Sequence, residues 1–206
     1  MGRLYSGALR EGHRLEAVYP DGSRVPVPVE LWRGPLRPGD GSVLDRSFGA
    51  TLDIGCGPGR LAAALRHRGV AAVGIDVNKD AVRLARTAGA VARRCSVFGP
   101  VPRPGRWDTA LLVDGNIGIG GGPVVLLRRV RELLSAGGRA LVEVEGPAGN
   151  SELTSLRLAS AGRVSRPFPW ARLALRDTRG IAALAGLRVD ESWQEAGRWF
   201  VALGNA

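Results

Sequence analysis

The sequence predicts an α/β fold: a doubly wound, mostly parallel β-sheet with helices on both faces. Apolar runs of strand length alternate with helix-like segments of about ten residues, a pattern typical of parallel sheets. The run 109–114 is continuously apolar, as expected for a strand covered on both faces. The last two predicted strands are separated only by residues 195–198, so they must form an antiparallel hairpin.

The first 48 residues lack helical periodicity but contain a predicted β-hairpin. Its arms are residues 15–19 and 24–29, joined by the turn 20–23, which contains Pro-Asp-Gly. The prolines of the second arm confine that arm to a sheet edge. We therefore treat residues 1–48 as an N-terminal extension that is expected to cover a substrate, and residues 49–206 as the main domain.

The main domain is predicted to begin with a strand and to alternate from there. The predicted strands are residues 50–54, 70–76, 90–94, 109–114, 139–145, 188–194 and 199–204. Helices are predicted from residue 59 to 67, from a cap at Asp80 to residue 88, from Pro123 to a stop at Gly137-Gly138, and over 178–187. The segment 146–177 lies outside this alternation and is expected to cover the substrate together with the extension.

The charge balance raises the prospect of a polyanionic partner. The 206 residues include 29 Lys and Arg against 19 Asp and Glu, a net charge of +10 with a pI near 11.2. However, Lys79 is the only lysine, and a GC-rich coding bias explains an arginine excess that accompanies 30 Gly and 13 Pro. The arginines are also rarely interleaved with the aromatic residues that stack on bases. A nucleic acid is therefore a possible but less favoured partner.

Cellular location and metal content follow from two further observations. Cys56 and Cys95 lack the spacing of a metal site or a disulfide scaffold, so no metal is predicted and a reducing cytoplasm is expected. No apolar stretch approaches the roughly 18 residues of a membrane span, and no secretory segment follows the first residue. We expect a soluble cytoplasmic protein without membrane contact, whose oligomeric state the sequence leaves open.

A glycine-rich turn follows the first strand of the main domain, in residues 52–61. Its spacing is G-x-G-x-G, and Arg60 occupies the position where a dinucleotide-binding G-x-G-x-x-G motif has its third glycine. Asp53 lies two residues before Gly55, where a carboxylate would repel a pyrophosphate by roughly 1–4 kcal/mol at 4 Å. The same carboxylate would attract an ammonium or a sulfonium.

A second acidic residue, Asp76, closes the next strand, nineteen residues after Gly57. An acidic side chain at this place can accept hydrogen bonds from two ribose hydroxyls. The two carboxylates together point to a nucleoside joined to a cationic amino acid. S-adenosylmethionine has this chemistry.

These residues resemble the motifs of the class I, Rossmann-like S-adenosylmethionine-dependent methyltransferases. Residues 53–59 (Asp-Ile-Gly-Cys-Gly-Pro-Gly) are similar to the first motif and Ile75-Asp76 to the second, and the resemblance extends over about 51–206. It implies a seven-stranded sheet with an antiparallel last strand. It also implies that the methionine moiety lies against Asp53 and the turn, the ribose against Asp76, and adenine against Val77; the residues of that turn are Gly55, Cys56 and Gly57.

The stretch 107–122 resembles the fourth motif of that superfamily, which contacts the methyl end of the cofactor and the substrate. Within it, Asp114 and Asn116 are the implied contacts. The loop after the third strand often supplies an acidic group to adenine in this superfamily. Here residues 95–98 contain no acid, which leaves Ser96 and the backbone around Val97 as candidates.

Glu143 and Glu145 alternate with valines, so both carboxylates lie on one face of the predicted fifth strand. Glu145 falls at the carboxyl end, where α/β sheets bind ligands, and is our first candidate for a catalytic base. Asp114 is its rival, and pairing with an arginine is the alternative role for the glutamate. We expect methyl transfer to an O, N or C nucleophile of a small molecule. The alternatives are an RNA methyltransferase and a non-catalytic S-adenosylmethionine-binding protein.

Overall fold

The computed structural model describes residues 2–206, which form two β-sheets and the helices packed on them. The twelve strands are β1 (Glu16–Val18), β2 (Arg24–Pro26), β3 (Thr51–Ile54), β4 (Ala72–Asp76), β5 (Val91–Arg94), β6 (Trp107–Leu112), β7 (Leu134–Val144), β8 (Glu152–Ser160), β9 (Arg163–Val164), β10 (Phe168–Arg172), β11 (Leu187–Glu195) and β12 (Arg198–Asn205). The seven α-helices are α1 (Gly2–Glu11), α2 (Val29–Arg33), α3 (Asp40–Arg46), α4 (Arg60–His67), α5 (Lys79–Thr87), α6 (Pro123–Leu133) and α7 (Leu175–Leu184). A 3₁₀ turn spans Asn116–Gly121.

The larger sheet has seven strands in the order β11-β12-β7-β6-β3-β4-β5. Strands β7, β6, β3, β4 and β5 pair in parallel, whereas β12 pairs antiparallel with both β7 and β11. This confirms the predicted fold class, including the terminal hairpin.

Both faces of the larger sheet are covered by the hydrophobic core, as expected for parallel strands. Along β6, Leu111 and Leu112 are both fully buried but belong to different core clusters. Leu112 packs with residues of α6 such as Leu126, and Leu111 packs with α4 residues such as Leu65. The two-residue period of the strand therefore separates the two layers of helices.

Several predicted element boundaries are wrong: the last helix is Leu175–Leu184 rather than 178–187, and β7 begins at Leu134 rather than at residue 139. Asn78, rather than Asp80, caps α5, because the Asn78 side chain accepts hydrogen bonds from two backbone N–H groups of the first turn. Helix α6 ends at Leu133, and the predicted stop, Gly137-Gly138, lies inside β7. A Cβ at Gly138 would come within 2.6 Å of the Trp107 carbonyl oxygen, so this glycine serves close strand packing.

The smaller sheet combines the N-terminal hairpin with strands that the sequence did not indicate. Its order is β10-β8-β1-β2, with β9 paired to β8, and every pairing is antiparallel. The hairpin is therefore confirmed, with β2 at a sheet edge, but the segment 152–172 supplies the remaining strands. The extension also contains three helices where none was predicted. None of the helices in residues 2–206 is long and apolar enough to cross a membrane.

Candidate active site

A single cleft of about 1760 Å³ lies at the carboxyl ends of β3, β4, β6 and β7, with the smaller sheet along its other side. Ligand pockets typically measure about 300–1,000 Å³, so this cleft has room for two molecules side by side. All the residues that the sequence nominated contribute to its lining: Asp53, Gly55, Cys56, Gly57, Asp76, Val77, Ser96, Val97, Asp114, Asn116 and Glu145.

The glycine turn adopts backbone conformations that side chains rarely tolerate. The φ angles of Gly55 and Gly57 are 72° and 53°. A Cβ at Gly55 would lie 2.9 Å from the Asn116 side chain, and one at Gly57 would lie 3.3 Å from the Tyr5 hydroxyl oxygen. Because neither glycine has a side chain, Asn116 can approach the turn at Gly55 and Tyr5 can approach it at Gly57. Cys56 turns its thiol toward Gly74, so the backbone is its main contribution to the cleft.

Asn116 fixes the end of β3. Its side-chain amide donates hydrogen bonds to the carbonyl oxygens of Ile54 at 2.9 Å and Gly55 at 3.1 Å. The amide oxygen is left to accept a bond from a ligand. We call the residues that follow β6, 113–122, the fourth-motif loop. Asn116 therefore joins this loop directly to the glycine turn.

Asp76 joins the turn to the end of β4. One carboxylate oxygen accepts the backbone N–H of Gly57 at 3.0 Å and the other accepts that of Asn78 at 2.7 Å. Burial raises the pKa of the Asp76 carboxyl above its usual range, although these bonds oppose the shift. Because a carboxylate oxygen has two lone pairs, each oxygen retains one for a ligand hydroxyl.

Asp53 lies at the bottom of the cleft with a relative exposure of 3%. Burial raises the pKa of Asp53 to about 7, and the negative charges of Asp114 and Asp76 contribute. Because burial and neighbouring negative charges cause this shift, a positively charged ligand would reduce it and an anionic ligand would increase it. The site thus fits the sulfonium and ammonium of S-adenosylmethionine and does not fit a pyrophosphate.

The adenine side of the cleft is largely apolar. Val97 is buried at 3% exposure, whereas Val77 is 53% exposed where it borders the cleft. The Ser96 hydroxyl oxygen accepts the backbone N–H of Phe98 at 3.2 Å. This bond leaves the Ser96 hydroxyl proton free to turn toward a ligand.

Sequence reasoning missed a cluster of three acids and three arginines beneath the fourth-motif loop. We call it the acid–arginine cluster; its members are Arg37, Asp40, Arg60, Asp114, Glu143 and Arg198. The guanidinium of Arg60 lies in the interior of this cluster. The only sequence signal for the cluster was the position of Arg60, directly after the G-x-G-x-G spacing.

Asp114 is held in this cluster from all sides. Its carboxylate binds Arg60 and lies 2.6 Å from Arg37, and its backbone N–H donates to Glu143 at 2.6 Å. The backbone of Asp114 has a positive φ of 57°, which is unusual for a residue with a side chain. Arg198 donates to Glu143 through Nε at 2.9 Å and to the fully buried Asp40 at 2.8 Å. These contacts position Asp114 and occupy its oxygens.

Glu145 differs from Glu143 in having no such partner. Its backbone is fixed, because the N–H donates to Leu173 O at 2.8 Å and the carbonyl accepts from Leu175 N–H at 2.9 Å. Its half-buried side chain lines the cleft, and none of residues 2–206 forms an ion pair or a hydrogen bond with its carboxylate. Of the two glutamates on this face, one is therefore paired with an arginine and the other is left to the cleft.

The glycines of the 3₁₀ turn allow the smaller sheet to rest on the fourth-motif loop. A Cβ at Gly118 would lie 2.5 Å from the Trp170 ring, and one at Gly121 would lie 2.5 Å from Pro169. Both contacts are with β10. Trp170 consequently borders the cleft directly beside the loop.

The comparisons with known proteins agree with this geometry. A family model described as a methyltransferase domain matches residues 51–138. A methyltransferase from Bacteroides fragilis, solved with S-adenosylhomocysteine, is 22% identical, with a TM-score of 0.83, over 100% of this chain and 94% of its own. Among curated proteins, no sequence matches the chain.

Two further solved structures have the same fold at lower similarity. One is the 1,6-didemethyltoxoflavin N1-methyltransferase of Burkholderia thailandensis, 19% identical with a TM-score of 0.57 over 80% of this chain and 73% of its own. The other is a sugar N-methyltransferase from Streptoalloteichus, 16% identical with a TM-score of 0.57 over 86% of this chain and 87% of its own.

The whole chain therefore has the fold of these solved methyltransferases, and residues 51–138 match the methyltransferase-domain model.

Proposed function

We propose that this protein transfers a methyl group from S-adenosylmethionine to a nucleophile on a small molecule. The observation that carries the proposal is a pair of carboxylates, the buried Asp53 and the half-buried Asp76, on either side of the glycine turn in a cleft that also reaches Glu145. The structural neighbour solved with S-adenosylhomocysteine supports the cofactor.

The residues that would hold the cofactor follow from the site. Asp53 and the glycine turn would bind the cationic methionine end, Asp76 would accept two ribose hydroxyls, and Val77 and Val97 would lie against adenine. When bound, S-adenosylmethionine supplies a methyl group already activated by a positively charged sulfur. The main tasks of the protein are then to orient the acceptor and to exclude water.

The chain performs these tasks with its outer elements. Helix α1 brings Tyr5 close to Gly57, and burial together with the charge of Asp76 raises the pKa of that phenol, so the hydroxyl keeps its proton. The smaller sheet borders the opposite side through Trp170. Glu145, held by its backbone at the end of β7, is placed to accept a proton from the acceptor.

The names of two structural neighbours support a small acceptor over a nucleic acid, because they are methyltransferases of 1,6-didemethyltoxoflavin and of a sugar. Two of the arginines that line the cleft, Arg60 and Arg198, are also engaged by carboxylates of the acid–arginine cluster.

Calorimetry with S-adenosylhomocysteine and with NAD tests the cofactor assignment. We expect micromolar binding of the former and none of the latter. Asp76→Ala should weaken binding by about 2 kcal/mol, because hydrogen bonds to charged groups contribute about 1.5–3 kcal/mol. Asp45→Ala, which changes an exposed residue outside the cleft, is the control. Equal binding of NAD, or unchanged affinity of the Asp76 variant, would contradict the proposal.

A further inference from the structure

The acceptor side of the cleft contains an acid, Glu145, whose carboxylate has no hydrogen-bond or ion-pair partner among residues 2–206. The chain carries ten more basic than acidic charges at neutral pH, yet none of the basic side chains of these residues lies within ion-pair distance of Glu145. A positively charged group in the acceptor would give this carboxylate a charge-assisted hydrogen bond.

The other acids that line the cleft already have assignments. Asp114 and Glu143 are paired inside the acid–arginine cluster, and Glu11 contacts both Arg10 and His13. Asp80, a buried residue of α5, lies 3.9 Å from Arg10 and 3.8 Å from Arg83. Asp53 and Asp76 border the glycine turn on the cofactor side. Glu145 is thus the acid available to the second molecule.

Arg172 of β10 is the basic residue whose pKa the charge of Glu145 helps to raise, but its hydrogen bond goes to another acid. It donates to Glu152 at 2.7 Å and its guanidinium lies 5.8 Å from the centre of the Tyr19 ring. It contributes to the cleft lining but keeps its own carboxylate partner. An incoming cation would therefore meet Glu145 without first breaking a hydrogen bond between Glu145 and an arginine.

Aromatic side chains border the cleft next to Glu145 and from β10. The Trp199 ring packs on Gly146, the residue after Glu145, where a Cβ would lie 2.9 Å from the indole. Trp170 and Phe168, in edge-to-face contact at 6.3 Å, border the cleft from β10. Aromatic faces attract cations and exclude water, which strengthens a charge interaction beside them.

We propose that the methyl acceptor is an amine that binds as an ammonium ion against Glu145, with an apolar body between the aromatic walls. This inference rests on the proposed methyltransferase function. The Glu145 carboxylate takes one N–H proton, and the freed lone pair of the nitrogen forms the new N–C bond. The C–S bond of the donor breaks with its electron pair remaining on sulfur, which leaves a neutral thioether. The methylated product is an ammonium ion, and Glu145 then releases its proton to water.

The test uses three probes with one ring and different charge: benzylamine, benzyl alcohol and benzoate. Each is titrated into protein saturated with S-adenosylhomocysteine, with ligand-observed NMR as the readout. We expect benzylamine to bind at least tenfold more tightly than benzyl alcohol, and benzoate to bind most weakly, because a hydrogen bond to a charged group is worth about tenfold or more.

Three variants assign this preference to Glu145. Glu145→Gln should abolish it, Glu145→Asp should retain part of it because the charge remains, and Glu132→Gln, at an exposed site on α6, should leave it unchanged. Equal binding of the amine and the alcohol, or an amine preference that survives in Glu145→Gln, would overturn the inference. If S-adenosylhomocysteine itself fails to bind, the proposed function falls instead, since the binding of the cofactor product is measured first and separately.

Discussion

Replacing Asp53 by asparagine should stabilise the cofactor-free protein while weakening its hold on the cofactor. Burial raises the pKa of Asp53 to about 7 from an ordinary value of 3.8. Between these values the folded protein keeps a proton that the unfolded chain has released, so the stability of the parent falls as the pH rises from about 4 to 7. At about 1.36 kcal/mol per pKa unit, ionising this residue at pH 8 costs the fold up to about 4 kcal/mol. Asparagine keeps the shape and has no proton to lose.

The measurement is denaturant unfolding of parent and Asp53→Asn, both without cofactor, at pH 5 and pH 8. At pH 5 the raised pKa of Asp53 lowers the free energy of unfolding of the parent by only about 1.5 kcal/mol. The difference in the free energy of unfolding between Asp53→Asn and the parent should therefore grow by about 2–3 kcal/mol from pH 5 to pH 8. Asp45→Asn, at a side chain 69% exposed, should show no such growth. The explanation fails if Asp53→Asn gains no stability at pH 8, or if its gain is the same at both pH values.

Three further outcomes follow from the same site. Calorimetry should show S-adenosylhomocysteine affinity of the parent falling about tenfold per pH unit below about pH 7, as Asp53 must lose its proton to meet the ligand cation, and Asp53→Asn should lose this dependence. Arg198→Met should lower the free energy of unfolding by about 3 kcal/mol, because Glu143 loses its arginine partner and the buried Asp40 loses one of two. Arg46→Met at an exposed pair should cost less than about 1 kcal/mol, and similar losses would contradict the burial argument. With an amine acceptor, Glu145→Gln should reduce turnover by about 10²–10⁴ with cofactor affinity unchanged; a change of only a few-fold would leave the residue an orienting role.

The larger sheet could be predicted because short sequence patterns indicate its strands and helices without reference to distant residues. Most strands of the alternation contain an apolar run that ends in a turn signal, and the helices between them show the period of an amphipathic helix. The run around Leu111 and Leu112 needed no knowledge of its neighbours to be identified as a strand buried on both faces. The errors in this part of the prediction concern the ends of helices and strands. Asn78 and Asp80 are both residue types that cap helices, and only the folded structure shows that Asn78 caps α5.

The smaller sheet could not be predicted because its strands depend on distant partners. Ala17 of β1 pairs with Leu158 of β8, far away in the sequence. The first half of β8 alternates between half-buried and exposed positions, so it carries a weak hydrophobic signal. Helix α2 has five residues and no side-chain cap, too short for a periodic pattern to develop.

The candidate site also has a part that the sequence predicts and a part that it does not. Asp53 and Asp76 could be nominated because the carboxyl ends of parallel strands meet at one edge, so their places in the strands determine that they are neighbours. The roles of Glu143 and Glu145 could not be separated, since their difference depends on Arg198, which arrives from the terminal hairpin. A strand pattern gives the face on which a side chain lies and says nothing of the charge that faces it.

The acid–arginine cluster gives the N-terminal extension a role that sequence boundaries hide. Arg37 and Asp40 come from the extension, Arg60 from the helix after the glycine turn and Arg198 from the last hairpin. Without the extension, Arg60 and Arg198 would lose the buried carboxylate of Asp40, and β8 would lose its β1 partner. Removing one partner of a buried ion pair is strongly destabilising, because the remaining charge stays buried. The N-terminal extension, which is expected to cover the substrate, therefore also holds the acid–arginine cluster beneath the fourth-motif loop in place. The structure of the acceptor side of the cleft thus depends on residues that lie outside every recognised motif.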